Sequence, residues 1–102
     1  MNIGIVGTGL MGSQIALRLA HKGHKVTVFN RDKSKAEKLK RANGSIILGV
    51  ANQPSDIGCN CDIALICVKD YEAVSNVSFG KGGLIENPRA DLVVLLLYYC
   101  LG

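Results

Sequence analysis

Two kinds of apolar pattern alternate along the chain. Short runs of consecutive apolar residues predict strands covered on both faces, and apolar positions recurring every three or four residues predict amphipathic helices. Ile3 to Val6 is a run of the first kind. Met11, Ile15 and Leu19 then recur every four residues, with Ala16 and Ala20 beside them and Arg18 and Lys22 off that face. This predicts a helix, and Gly23 supplies its stop. Lys25 to Phe29 is β-branched and aromatic, hence a second strand. Strand, helix and strand within about 30 residues form a βαβ unit, whose crossover is right-handed.

The alternation continues. Ser34-Lys35-Ala36-Glu37 has the form of a capping box and predicts a helix through about Arg41, ended by Gly44. Ile46 to Leu48 reads as a short strand. Pro54 suits the first position of a short helix through about Ile57. Asp62 to Val68 is almost continuously apolar and predicts a strand buried on both faces. Asp70 suits the cap of a helix from Tyr71 to Phe79, with Val74 and Val77 inward. Gly80 to Gly83 reads as a loop, and Asp91 to Leu97 as a fifth strand. The expected fold is α/β: a Rossmann-type, doubly wound parallel sheet of about five strands, incomplete at its C-terminal side.

The junction of the first strand and helix carries Gly7-x-Gly9-x-x-Gly12. Glycine-rich loops are common, and it is the order strand, glycines, helix that gives this one meaning. Gly7 serves the tight turn, Gly9 the backbone approach to a pyrophosphate, and Gly12 the close packing of helix on strand. Thr8, Leu10 and Met11 complete the loop, and the amino end of the helix holds the anion through backbone N–H groups and the helix dipole.

The end of the second strand then separates NAD from NADP. An NAD site wants a carboxylate there for the ribose hydroxyls, and this chain has Asn30 followed by Arg31. Without a carboxylate a 2′-phosphate is not repelled, and Arg31 can pair with it through its planar fork and stack on the adenine. Lys33, Ser34 and Lys35 add positive potential and a hydroxyl. Asp32 is a nearby acid still able to reach the ribose. NADP is expected over NAD, with Val68 and Lys69, after the fourth strand, over the adenosine ribose or the middle of the cofactor, Lys69 being either a phosphate contact or a surface lysine. The expected contacts are therefore Gly7, Thr8, Gly9, Leu10, Met11, Gly12, Asn30, Arg31, Asp32, Lys35, Val68 and Lys69.

Composition narrows the rest. The chain's 102 residues allow one small domain. Hydrophobic residues at 48% and charged at 20% are those of a soluble globular protein. The net charge of +4 is concentrated only between Arg31 and Arg41, with Phe29 the one aromatic nearby, which argues against nucleic acid. The longest apolar run, Leu92 to Leu101, is about half of a bilayer span. With a strand starting at once and no charged region before it, a cytoplasmic location is expected. Cys59, Cys61, Cys67 and Cys100 lack zinc-site or redox spacing, and His21 and His24 flank a helix end with no partner ligand, so no metal site is expected.

Gly4-Ile-Val-Gly-Thr-Gly-Leu-Met-Gly12, with Ile15-Ala16 and Leu19, resembles the opening of the β-hydroxyacid dehydrogenases. That family includes 3-hydroxyisobutyrate dehydrogenase, the glyoxylate/succinic semialdehyde reductases and, more distantly, 6-phosphogluconate dehydrogenase. Gly23-His24-x-Val26-x-Val28-x-Asn30-Arg31, Asp62 to Val68 and Phe79-Gly80-x-Gly82-Gly83-Leu84 are also similar to the family. The resemblance implies hydride transfer between a nicotinamide and the carbinol carbon of a small β-hydroxyacid. Family members follow the fifth strand with an acid and a Ser-Thr pair, and carry the general acid/base lysine beyond it, before and within an all-helical second domain. Here no Ser or Thr follows Ser78, Lys69 stands where a proline is common, and nothing matches that lysine. The expectation is a dinucleotide-binding domain over residues 1–102 with no catalytic residue of its own, inactive alone. A stand-alone NADP-binding or sensing module completed by a partner chain, and a truncated gene product, are the alternatives. The apolar fifth strand, left as an edge, is expected to drive self-association.

Overall fold

The computed structural model describes residues 1–68 and 70–97. Its elements are β1 (Asn2–Val6), α1 (Leu10–His21), β2 (Lys25–Phe29), α2 (Lys33–Ala42), β3 (Ile47–Val50), α3 (Pro54–Asn60), β4 (Ile63–Cys67), α4 (Tyr71–Phe79) and β5 (Val93–Leu97). The strands form one parallel sheet in the order β3-β2-β1-β4-β5, so β1 is central and the chain reverses direction across the sheet between β1 and β4. This is the expected doubly wound α/β architecture.

Alternation along β1 and β4 builds two cores. Ile3, Ile5, Leu65 and Cys67 face α1 and α2, where Ala16, Ala20 and Ala36 let the helices lie close. Val6, Ala64 and Ile66 face the other way, onto Ile57 of α3 and Leu84. Ile5, Val26, Val28, Ile57, Ile66 and Leu84 are fully buried; burying each such side chain stabilises the fold by about 1.5–3 kcal/mol. β5 differs from the rest. Its Val93 to Leu96 are 43–50% exposed, on both faces of the strand.

Four expectations need correction, the first being the fifth strand, which starts at Val93 rather than Asp91, a turn residue whose carboxylate pairs with Arg89 at 3.4 Å. The cap of α2 is Asp32, not Ser34: the Asp32 carboxylate accepts the Ser34 N–H at 3.1 Å and its hydroxyl at 2.6 Å. An acceptor two residues upstream captures that N–H, and Ser34 moves into the first turn. The reciprocal cap belongs to α3, where Asp56 accepts the N–H groups of Gln53 at 3.3 Å and Asn52 at 3.2 Å. α3 also runs to Asn60 rather than Ile57, because Gly58 lies flush against the Leu84 carbonyl and continues the helix. β3 covers Ile47–Val50 rather than starting at Ile46, whose N–H closes the preceding turn onto the Asn43 carbonyl at 3.0 Å. Asp70 does cap α4, accepting the Ala73 N–H at 2.8 Å.

At the amino ends of the strands, opposite the glycine loop, Asp62 ties β1, β4 and β5 together. It donates its N–H to the Asn2 carbonyl, takes the Asn2 N–H on its carboxylate at 2.8 Å and takes the Val93 N–H on its carbonyl at 3.1 Å. Arg89 pairs with the same carboxylate at 2.9 Å. The Asn2 N–H, helped by the Arg89 guanidinium, holds this carboxyl below the usual range.

Candidate functional site

The carboxyl ends of β1, β2 and β4 meet where the strand order reverses, which is where an open α/β sheet leaves room for a ligand. Gly7 leaves β1 with φ at +105° and donates its N–H to the Phe29 carbonyl at 2.7 Å. A side chain at Gly7 would run into the Cys67 carbonyl, and one at Gly12 into the Gly7 carbonyl. Both positions therefore need glycine for the helix to start against the loop. Above Gly9 there is only open space. α1 begins with no side-chain cap and no acid in its first turn. Among the described residues nothing accepts the N–H groups of Leu10, Met11 and Gly12, so the helix start offers bare donors and the positive end of a dipole.

Beside this loop lies a cavity of about 300 Å³. Gly7, Asn30, Arg31 and Val68, all expected at the site, line it. So do Val6, Phe29, Pro54, Ala73, Asn76, Val77 and Lys81, which sequence reasoning did not place there. Helix periodicity points Val77 inward but does not show the cavity that it lines. The walls are mainly apolar, with Arg31 and Lys81 bringing positive charge and Asn30 and Asn76 amides. Such a cavity suits a flat ring with a polar edge and an anion at its rim.

Thr8 and Lys35 fall elsewhere, in a more open groove of about 340 Å³ between α1 and α2, with Ser13, Lys38, Leu39 and Ala42. The Thr8 hydroxyl is buried and has no hydrogen-bond partner among the described residues. Its N–H donates to Asn30 Oδ1 at 3.0 Å, and its carbonyl accepts the Ser13 hydroxyl at 2.8 Å. The Asn30 amide nitrogen donates in turn to the Asp32 carbonyl at 3.0 Å. Asp32 spends its carboxylate on the cap of α2, and the Ser34 hydroxyl holds its carboxyl below the ordinary value. Leu10 is exposed and Met11 half-buried, both presenting backbone to the loop. Lys69 lies outside the described residues, as does Cys100.

Burial pushes the Cys61 thiol up to about 11, with the Asp62 charge adding to it, and raises Cys67 as well. Both stay protonated near neutral pH and make poor nucleophiles. Among the described residues no cluster of His, Cys, Asp and Glu could hold a metal ion, and no helix is long and apolar enough to cross a membrane.

The residues present fit a dinucleotide. Free donors at the start of α1 and open space over Gly9 suit a pyrophosphate, the apolar cavity suits adenine, and Arg31 stands at its edge. The family model described as the NAD binding domain of 6-phosphogluconate dehydrogenase matches residues 2–96. Over 87 residues the chain is 33% identical to the human cytokine-like nuclear factor N-PAC, covering 85% of this chain and 15% of that protein. It is 34% identical over 86 residues to glyoxylate/succinic semialdehyde reductase 1 of Arabidopsis thaliana, covering 84% of this chain and 28% of the reductase. The fold is similar to a reductive aminase from Aspergillus terreus solved with NADPH4, cyclohexanone and allyl amine. There the TM-score is 0.72 at 27% identity, over 95% of this chain and 31% of that one. The chain thus spans less than a third of the length of these relatives. By sequence match, topology and site it belongs to the family of the NAD-binding domain of 6-phosphogluconate dehydrogenase.

Proposed function

We propose that the chain binds NADP in preference to NAD and serves as the cofactor-binding part of an oxidoreductase resembling 3-hydroxyisobutyrate dehydrogenase. When bound, the nicotinamide supplies hydride transfer to or from a small β-hydroxyacid or aldehyde acid. This chain's own contribution is binding and orientation: the loop from Gly7 to Gly12, with Thr8, Gly9, Leu10 and Met11, takes the pyrophosphate. Val68 borders the cofactor at the end of β4, and Asn30 and Arg31 form the ribose end, with Lys35 on the neighbouring groove adding positive potential and Asp32 taken up by the cap of α2. The observation that carries the reading is at the end of β2. Arg31 stands on the cavity beside Gly7, while the one nearby carboxylate, Asp32, is committed to capping α2. A 2′-phosphate there meets a guanidinium and no free acid.

The test is a fluorescence titration with NADPH and NADH on the parent and on Arg31→Ala. The parent binds NADPH more tightly, and Arg31→Ala loses about tenfold or more for NADPH while changing little for NADH. Equal affinities, unchanged by the substitution, contradict the assignment. The substrate-binding Ser-Thr pair and general-base lysine of the family have no counterpart in these residues. The isolated chain is therefore expected to show no hydroxyacid oxidation with NADP, in keeping with a cytoplasmic cofactor module that works with further protein.

A second proposal comes from β5. Val93 to Leu96, half exposed on both faces at the sheet edge, favour self-association through this strand. Light scattering of the parent should find species larger than the monomer, and Leu95→Lys should reduce them. A monodisperse parent monomer contradicts it.

A further inference from the structure

Asn30 makes contacts that a residue chosen only to leave room for a phosphate would not need. Both ends of its amide are engaged inside the protein. Oδ1 accepts the Thr8 N–H at 3.0 Å, reaching across to the glycine loop, and Nδ2 donates to the Asp32 carbonyl at 3.0 Å, two residues on. The second bond makes Arg31 the apex of a three-residue turn. Asp32, the far end of that turn, is fixed again by its carboxylate on Ser34 at the start of α2. Gly7, the residue before Thr8, is anchored to the same strand end by its N–H on the Phe29 carbonyl. Arg31 itself is exposed and makes no hydrogen bond or ion pair among the described residues. Only its backbone is held.

We propose that Asn30 is a positioning residue: it holds the Arg31 turn in register with the glycine loop, and so couples the two anion-binding parts of the site. This rests on the NADP reading for its ligand, though not for its geometry. The primary amide of Asn30 does both jobs at once, its oxygen accepting and its nitrogen donating. A carboxylate has the acceptor for Thr8 but faces the Asp32 carbonyl with a second acceptor, and Ala has neither group. The pre-set turn spares the ligand the cost of ordering the Arg31 backbone when it binds, leaving only the side chain to be ordered. An acid at the end of β2, the residue an NAD site wants there, would thus break this site rather than convert it.

The experiment combines a double-mutant cycle with amide exchange on the full chain. NADPH affinity is measured for the parent, Asn30→Ala, Arg31→Ala and the double variant, and exchange of the Thr8 N–H is followed without ligand. Arg31→Ala is expected to cost about tenfold in the parent and less than about threefold once Asn30 is Ala, because an unheld arginine contributes less. Thr8 exchange in Asn30→Ala is expected to speed up by about tenfold or more. Additive losses in the cycle, or unchanged Thr8 exchange, overturn the proposal.

Asn30→Asp is the second variant, keeping the acceptor for Thr8. It is expected to retain slow Thr8 exchange, to lose NADPH affinity and to gain none for NADH. A gain of NADH affinity above the parent's overturns the proposal. If the parent binds neither dinucleotide, the NADP reading fails, and Thr8 exchange in Asn30→Ala still decides whether the strut exists.

Discussion

β1 and β5 are built from much the same material and meet opposite fates. Ile3 to Val6 and Val93 to Leu97 are both short apolar runs, both parallel, and both paired with a β4 that lies between them. β1 has neighbours on either side and helices over both faces, and its Ile5 and Val6 have no exposure. Among the described residues β5 is paired on one side only, and its Val93 to Leu96 stand half in water. An apolar run specifies a strand that wants burial on both faces. Its place in the sheet decides whether it finds that burial. The site follows the same division, gathering at the buried strand's end, where Gly7, Asn30 and Arg31 meet.

The comparison breaks most sharply by truncation. Ile5→Ala should cost about 2–5 kcal/mol by urea unfolding, because it empties a fully covered position. Below the concentration at which the chain self-associates, Leu95→Ala should cost less than about 1 kcal/mol, because that side chain stands half in water. Equal losses would mean that β5 is covered in solution, most simply by another copy of the chain.

A smaller effect is expected where both strands are anchored. Asp62 takes the Asn2 N–H of β1 on its carboxylate and the Val93 N–H of β5 on its carbonyl, and Arg89 pairs with that carboxylate. Because its carboxyl is held below the usual range, the stabilisation is fully present above the unfolded value of about 3.9. It is lost as the pH falls through the lower folded value. Asp62→Asn should therefore lower the urea midpoint at pH 7 by less than Ile5→Ala does. It should also flatten the parent's loss of stability at acid pH. A parent and variant that fall in parallel on acidification would remove Asp62 from the anchoring.

The sheet and its first βα turn were legible in the sequence because each rests on local signals. Apolar runs, helix periodicity and a glycine spacing set β1, α1, β2 and β4 close to their observed bounds, and Asp70 announced α4. Capping was less legible, since Asp32 and Ser34 are both good caps two residues apart and only the backbone path chooses between them. The loop and the Asn30-Arg31 pair could be named in advance because they follow their strands directly. Pro54, Ala73, Asn76 and Lys81 could not, because their arrival at one cavity depends on where the α3 and α4 crossovers land. The hydrogen bonds of Asn30 were hidden for the same reason: its partner Thr8 is 22 residues away in sequence. The exposure of β5 was also beyond a residue pattern that reads as a core strand.

The most direct test of the site compares adenosine 2′,5′-bisphosphate with adenosine 5′-monophosphate on the isotope-labelled chain, read by amide chemical shifts. The account predicts that both ligands move the resonances of Gly7 to Gly12 and of Ala73, Asn76 and Val77. The bisphosphate should move Arg31 and its neighbours Asn30 and Asp32 further than the monophosphate does, and it should bind more tightly. Identical shifts and affinities for the two ligands, or shifts confined to residues away from the carboxyl ends of β1 and β2, would contradict it.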